Sequence, residues 1–139
     1  MSAVHQQISE WLGVQRLESE QQLIEIVEHR LPVSSISRLL ALGFTRAEVE
    51  TLVISQRTLQ HRRARREKLT IDESDRVLRV MRQLSQAEEV YGSRERALAW
   101  LRRPHPRLGD RAPVELLNTD TGSRTVEELL VQIDEGMFV

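Results

Sequence analysis

The chain has 139 residues, a formal net charge of −1 and no cysteine. Disulfides and thiolate metal sites are excluded, and the length suits one compact unit or two small ones sharing a core. Aromatic residues make up 4% and there are six glycines, a balance that favours a helical protein over a sandwich or barrel; no apolar run approaches the roughly 18 residues of a membrane span.

In chain order, MSAVHQQISEWLG lacks a basic n-region and a long apolar run, so no signal peptide is expected and a cytoplasmic location fits. Val4, Ile8, Trp11 and Leu12 have helical spacing and Gly13 closes the pattern. A second helix is expected over about 19–31, with Leu23, Ile24, Val27 and Leu31 on one face and Pro32 ending it. Ser34 to Leu42 forms a third, with Ile36, Leu39 and Leu40 inward and Gly43 as its stop. Thr45 and Glu48 make a capping box for a short helix ending near Leu52. After a tight Val53-Ile54 connection, Ser55 caps a helix with Leu59 inward.

The longest helix is expected from about Ile71 to Tyr91, with Val77, Leu78, Met81, Leu84, Ala87 and Val90 at period 3.6 and Gly92 ending it. Ser93 caps a helix to Leu101. A loop built on Pro104, Pro106 and Gly109 follows, and Pro113 opens a short helix to Leu117. A break is read at Asn118–Gly122, and the final helix is expected to start at Thr125, striped by Val126, Leu129, Leu130 and Ile133. No strand alternation persists, so the fold class is all-α. The divisions are residues 1–32, an N-terminal arm and first helix; 33–68, a helix-turn-helix region; 69–92, a long connecting helix; and 93–139, a C-terminal domain.

The near-zero net charge hides segregation. Arg57, Arg62, Arg63, Arg65, Arg66 and Lys68 face one acid, Glu67, whereas Val114 onward carries six acids against Arg124 alone. Two short helices about a tight turn have helix-turn-helix spacing. In such a unit the second helix offers its outward residues to major-groove base edges while nearby cations neutralise phosphates. Gln56, Arg57, Gln60 and His61 are the candidates for bases, and Arg62, Arg63, Arg65 and Arg66 for the backbone. The alternative is a solvated charged helix paired with the acidic C-terminal segment and the first 30 residues, which are also net acidic. One residue fits poorly: the turn of such units often holds glycine, and here it holds Val53.

Catalytic and metal chemistry is not expected. His5, His29, His61 and His105 have no ligand spacing on one helix, and the chain has no Gly-rich phosphate loop and no nucleophile elbow. The chain ends on the apolar Gly136-Met137-Phe138-Val139, which must be buried in its own fold or offered to a partner.

The segment RTLQHRRARREKLTIDESDRVLRV, followed by AEEVYGSRERALAWLRRPHPRLGDRAPVELLNTDTGSRTVEELL, resembles the Xre/MbcA/ParS antitoxin family over about residues 33–139. The spacing around Trp100, Leu101, Pro104, Pro106, Leu108, Gly109, Pro113, Leu116, Leu117, Thr119 and Gly122 carries the resemblance best. It implies an Xre-like helix-turn-helix, a C-terminal toxin-binding domain, and a cognate RES-domain toxin that degrades NAD. It also implies repression of its own operon through operator DNA, a homodimer, and a higher toxin–antitoxin complex. NAD is then the toxin's substrate, and no cofactor or enzymatic activity is expected of this chain. The toxin contacts expected on this basis are Arg103, Arg107, Asp110 and Arg111 in the proline loop, with Gly136, Met137, Phe138 and Val139 at the end. Two other readings stay open: a transcriptional regulator using its C-terminal domain only to dimerise, and a polar-localised adaptor.

Overall fold

The computed structural model describes residues 3–136. Its helices are α1 (Ala3–Leu12), α2 (Glu20–His29), α3 (Ser34–Leu42), α4 (Arg46–Leu52), α5 (Gln56–Ala64), α6 (Ile71–Tyr91), α7 (Arg94–Leu101) and α8 (Asp120–Asp134), with 3-10 turns at Pro106–Leu108 and Pro113–Leu116. Among the described residues the only β pairing is an isolated bridge, His105 to Arg111. The fold is all-α, as the apolar periodicity predicts. The chain divides within α6, between Met81 and Arg82, into two compact units.

In the first unit most residues predicted inward in α1, α3 and α5 are buried: Val4, Ile8 and Leu12, with Trp11 only half-buried, then Ile36 and Leu39, then Leu59; Val49 and Leu52 of α4 are buried as well. Three expectations need correction. The second helix stops at His29 rather than 31, because Arg30 leaves helical space at φ 65 and its amide closes on the Val27 carbonyl. Leu31 therefore reaches the core from beyond the helix, its amide donating to Ser74 Oγ at 2.9 Å. Ile24, expected inward, is 47% exposed, and Leu23 alone of the helix is fully buried. In α3 it is Leu42 rather than Leu40 that completes the buried face.

In the second unit Ala97, Trp100 and Leu101 of α7 and Val126, Leu129 and Leu130 of α8 are buried. The final helix begins five residues before the expected Thr125. Thr119 is its N-cap, its hydroxyl accepting from the Gly122 amide at 3.0 Å. Gly122, read as a break, lies inside the first turn. A side chain there would meet the Leu116 carbonyl oxygen at 2.1 Å, so the glycine serves close backbone approach rather than a turn. Gln83 fixes the same turn, its amide donating to the Ser123 carbonyl and hydroxyl at 3.1 and 3.0 Å.

Candidate nucleic-acid and partner surfaces

The helix pair α4–α5 is built from local signals. The Thr45 hydroxyl accepts from the Glu48 amide at 3.1 Å and the Glu48 carboxylate accepts from the Thr45 amide at 2.9 Å, a reciprocal cap. Ser55 caps α5 by accepting from the Thr58 amide at 3.2 Å. The turn needs no glycine: Val53 sits at φ −126, its amide and that of Ile54 both donate to the Val49 carbonyl, and both side chains are buried. The poor fit of Val53 is thereby explained.

Helix α5 buries only Leu59. Gln56, Arg57, Gln60, His61, Arg63, Arg65 and Arg66 are exposed. Among the described residues the side chains of Arg57, Arg63 and Arg66 take no partner, and Arg65 lies 3.9 Å from Glu67. Arg62 differs from the rest of the run. Its Nε and Nη2 each donate to a Glu73 carboxylate oxygen at 3.2 Å, a bidentate pair joining α5 to α6. Glu73 also accepts from the Thr70 amide at 2.8 Å, while the Thr70 hydroxyl accepts from the Glu73 amide.

Burial alone would raise the Glu73 carboxyl, but the Arg62 guanidinium and the Thr70 amide outweigh it and hold the carboxyl below its ordinary value. A depressed carboxylate adds stability that is fully present above its unfolded-state value and is lost as pH falls through the lower folded-state value. Glu73→Gln is therefore expected to cost about 2 kcal/mol at neutral pH. In urea unfolding the gap from the unmodified protein should close as the solution is acidified past the carboxylate range; a gap constant with pH would refute the assignment.

Two further features shape the basic face. Arg66 closes α5 at φ 56, with Glu67 N donating to the Arg62 carbonyl and Arg66 N to the Arg63 carbonyl. Glycine usually takes this place, and a non-glycine residue there costs about 1 kcal/mol. Gln56 and Arg63 also border a groove of about 150 Å³ whose lining includes Arg46 and Glu50 of α4. Arg46 is exposed and begins α4. Sequence reasoning missed it by weighing only the charge run from Arg57 to Lys68; its place just after the Thr45 cap was the available signal.

In the second unit Ser93 caps α7, and Tyr91 stacks on Trp100 with ring centroids 5.7 Å apart. Burial pushes the Tyr91 hydroxyl up, partly offset by the charge of Arg103. His105 organises the proline loop. Its carbonyl accepts from the amides of Leu108 and Asp110, its amide donates to the Arg111 carbonyl, and its Nδ1 accepts from the Arg107 amide at 3.1 Å. Gly109 and Asp110 follow in left-handed conformations, at φ 66 and 61. With Leu108 buried beneath, the loop holds Arg103, Arg107, Asp110 and Arg111 at the surface. The Glu115 carboxylate steadies the exit, accepting from the Ala112 amide at 2.7 Å. Gly136 is exposed at φ 72, whereas Met137, Phe138 and Val139 lie outside the described residues.

Among the described residues no group of three or more His, Asp or Glu side chains could hold a metal ion. No described helix is long and apolar enough to cross a membrane.

A capped helix pair with a basic second helix, followed by a small helical unit presenting a braced, charged loop, defines a two-part helix-turn-helix protein. Residues 22–82 match the antitoxin Xre-like helix-turn-helix domain, and residues 86–136 match the antitoxin Xre/MbcA/ParS C-terminal toxin-binding domain. The chain belongs to the Xre/MbcA/ParS antitoxin family. It is 42% identical over 84 residues to an Antitoxin Xre of Pseudomonas putida, covering 60% of this chain and 53% of that protein. It is 34% identical over 86 residues to an Antitoxin Xre of Yersinia enterocolitica, covering 61% and 58%. A Prs ADP-ribosylating antitoxin of Sphingobium is 27% identical over 126 residues, covering 83% and 79%. The chain thus spans little more than half the length of the two Xre relatives. Helix α1 precedes both matched regions.

Proposed function

We propose that this protein is an antitoxin that binds and blocks a RES-type, NAD-degrading toxin in the cytoplasm and represses its own operon by binding DNA. The observation that carries the reading is the match of residues 86–136 to a toxin-binding domain, on a unit whose loop holds Arg103, Arg107, Asp110 and Arg111 outward. These side chains meet the toxin, and Gly136 to Val139 anchor in its cleft. Gln56, Arg57, Gln60 and His61 read bases, while Arg63, Arg65 and Arg66 hold phosphates. Arg46, at the start of the bracing helix, joins them. Arg62 is left out, since its guanidinium is committed to Glu73. A homodimer doubles the basic face, and the complex with toxin is of higher order.

The Sphingobium relative's name favours a second reading of the partner, in which ADP-ribosylation rather than NAD breakdown is the chemistry held in check.

Co-expression with the adjacent toxin reading frame tests both. Rescue of growth and co-purification are expected. NAD levels without the antitoxin then separate the readings: collapse marks a degrading toxin, whereas ADP-ribose on a cellular protein marks the other. Arg57→Ala or His61→Ala should weaken binding to the upstream duplex on the order of tenfold and leave rescue intact. No complex and no rescue would refute the antitoxin reading and leave a regulator that only dimerises through its second unit.

A further inference from the structure

The segment joining α5 to α6 carries the last charges of the basic run, yet no helix holds its backbone. It is laced instead to the end of α2. Arg30 Nε donates to the Leu69 carbonyl at 2.7 Å and its Nη2 to the Lys68 carbonyl at 3.0 Å. In return Lys68 Nζ donates to the His29 carbonyl at 3.2 Å, and the Leu69 amide to the Leu31 carbonyl at 2.9 Å. Arg30 does this from φ 65, ψ 130, a conformation that L side chains rarely adopt. Such a backbone persists only where its surroundings over-determine it. Here they are two linker carbonyls nearly forty residues away in sequence, met by one forked side chain.

We propose that Arg30 is a positioning residue for DNA binding: it fixes the turn that aims Arg66, and does not itself touch the duplex. The proposal rests on the reading of α5 as the DNA-facing helix. A guanidinium is required because its planar fork spans two adjacent carbonyls; a lysine ammonium there reaches one.

The test uses the full chain and a fluorescently labelled duplex of the DNA immediately upstream of its coding sequence. Arg30→Ala, Arg30→Lys and Arg30→Gly are compared, each also combined with Arg66→Ala. Glycine suits the backbone at position 30, so Arg30→Gly should unfold at a higher temperature than Arg30→Ala. All three variants should nevertheless bind on the order of tenfold more weakly than the unmodified chain. In the Arg66→Ala background most of that loss should vanish, because the two residues act through one turn.

Binding that recovers in Arg30→Gly would reduce Arg30 to a stability role. A loss that simply adds to that of Arg66→Ala would make Arg30 a direct contact. Unchanged binding in Arg30→Ala would end the proposal while leaving α5 as the reading helix. Failure of the unmodified chain to bind the duplex would overturn the DNA reading and the proposal with it.

Discussion

Gly122→Ala is expected to destabilise the second unit by about 3 kcal/mol and to abolish capture of the proposed toxin. Helix propensity alone argues the other way, because alanine in place of glycine favours a helix by about 1 kcal/mol. The geometry decides. An added Cβ would stand 2.1 Å from the Leu116 carbonyl oxygen and 3.0 Å from both its carbon and Thr119 Oγ1. Backbone atoms cannot swing aside as a side chain can. Either the 3-10 turn that includes Leu116 or the first turn of α8 must move, and overpacking of this kind costs 1–3 kcal/mol or more, roughly. Moving the helix turn also forfeits the Thr119 cap, about 1 kcal/mol. Thermal unfolding by circular dichroism and co-purification with the toxin measure the outcome; an alanine variant as stable as the parent would show that the approach relaxes freely.

Leu59→Ala should cost about 3 kcal/mol, within the usual range for a buried leucine. Its consequence is concentrated in one element. Leu59 is the sole buried residue of α5, whose other anchors are the Ser55 cap and the Arg62–Glu73 pair. Without it the helix has almost no apolar contact left. Amide hydrogen exchange along α5 should accelerate well beyond that of α4, and the proposed duplex binding should be lost at temperatures where the remaining helices persist. Leu59→Met is the control, since it nearly conserves volume and should cost below about 1.5 kcal/mol. Equal exchange rates in α4 and α5 of the alanine variant would show that the helix does not hang on this one side chain.

Much of the architecture was legible because its signals are local. Thr45 with Glu48, Ser55 and Ser93 announce helix starts through their own hydroxyl and carboxylate groups, and the structure shows each of them capping. Gly43 and Gly92 mark stops where φ is positive. What was misread depends on distant partners. Gly122 looks like every other glycine break, and only the carbonyl of Leu116 reveals that it is there to leave room. Ile24 fits a helical stripe as well as Leu23 does, yet the core lies on the leucine's side. Arg62 cannot be told from its neighbours in a run of arginines; its carboxylate partner lies on another helix, eleven residues on. Arg30 carried no signal at all, since nothing in its neighbourhood foretells a left-handed arginine reaching across to Lys68 and Leu69.

The arginine at position 66 has an implication for anyone improving this protein in the laboratory. Its backbone sits where glycine is at ease, so a screen that rewards heat resistance alone would favour glycine there and discard a guanidinium that takes no partner among the described residues and is proposed to hold phosphate. Robustness and recognition thus pull one codon in opposite directions, and a library scored only on survival would drift towards proteins that are sturdier and mute.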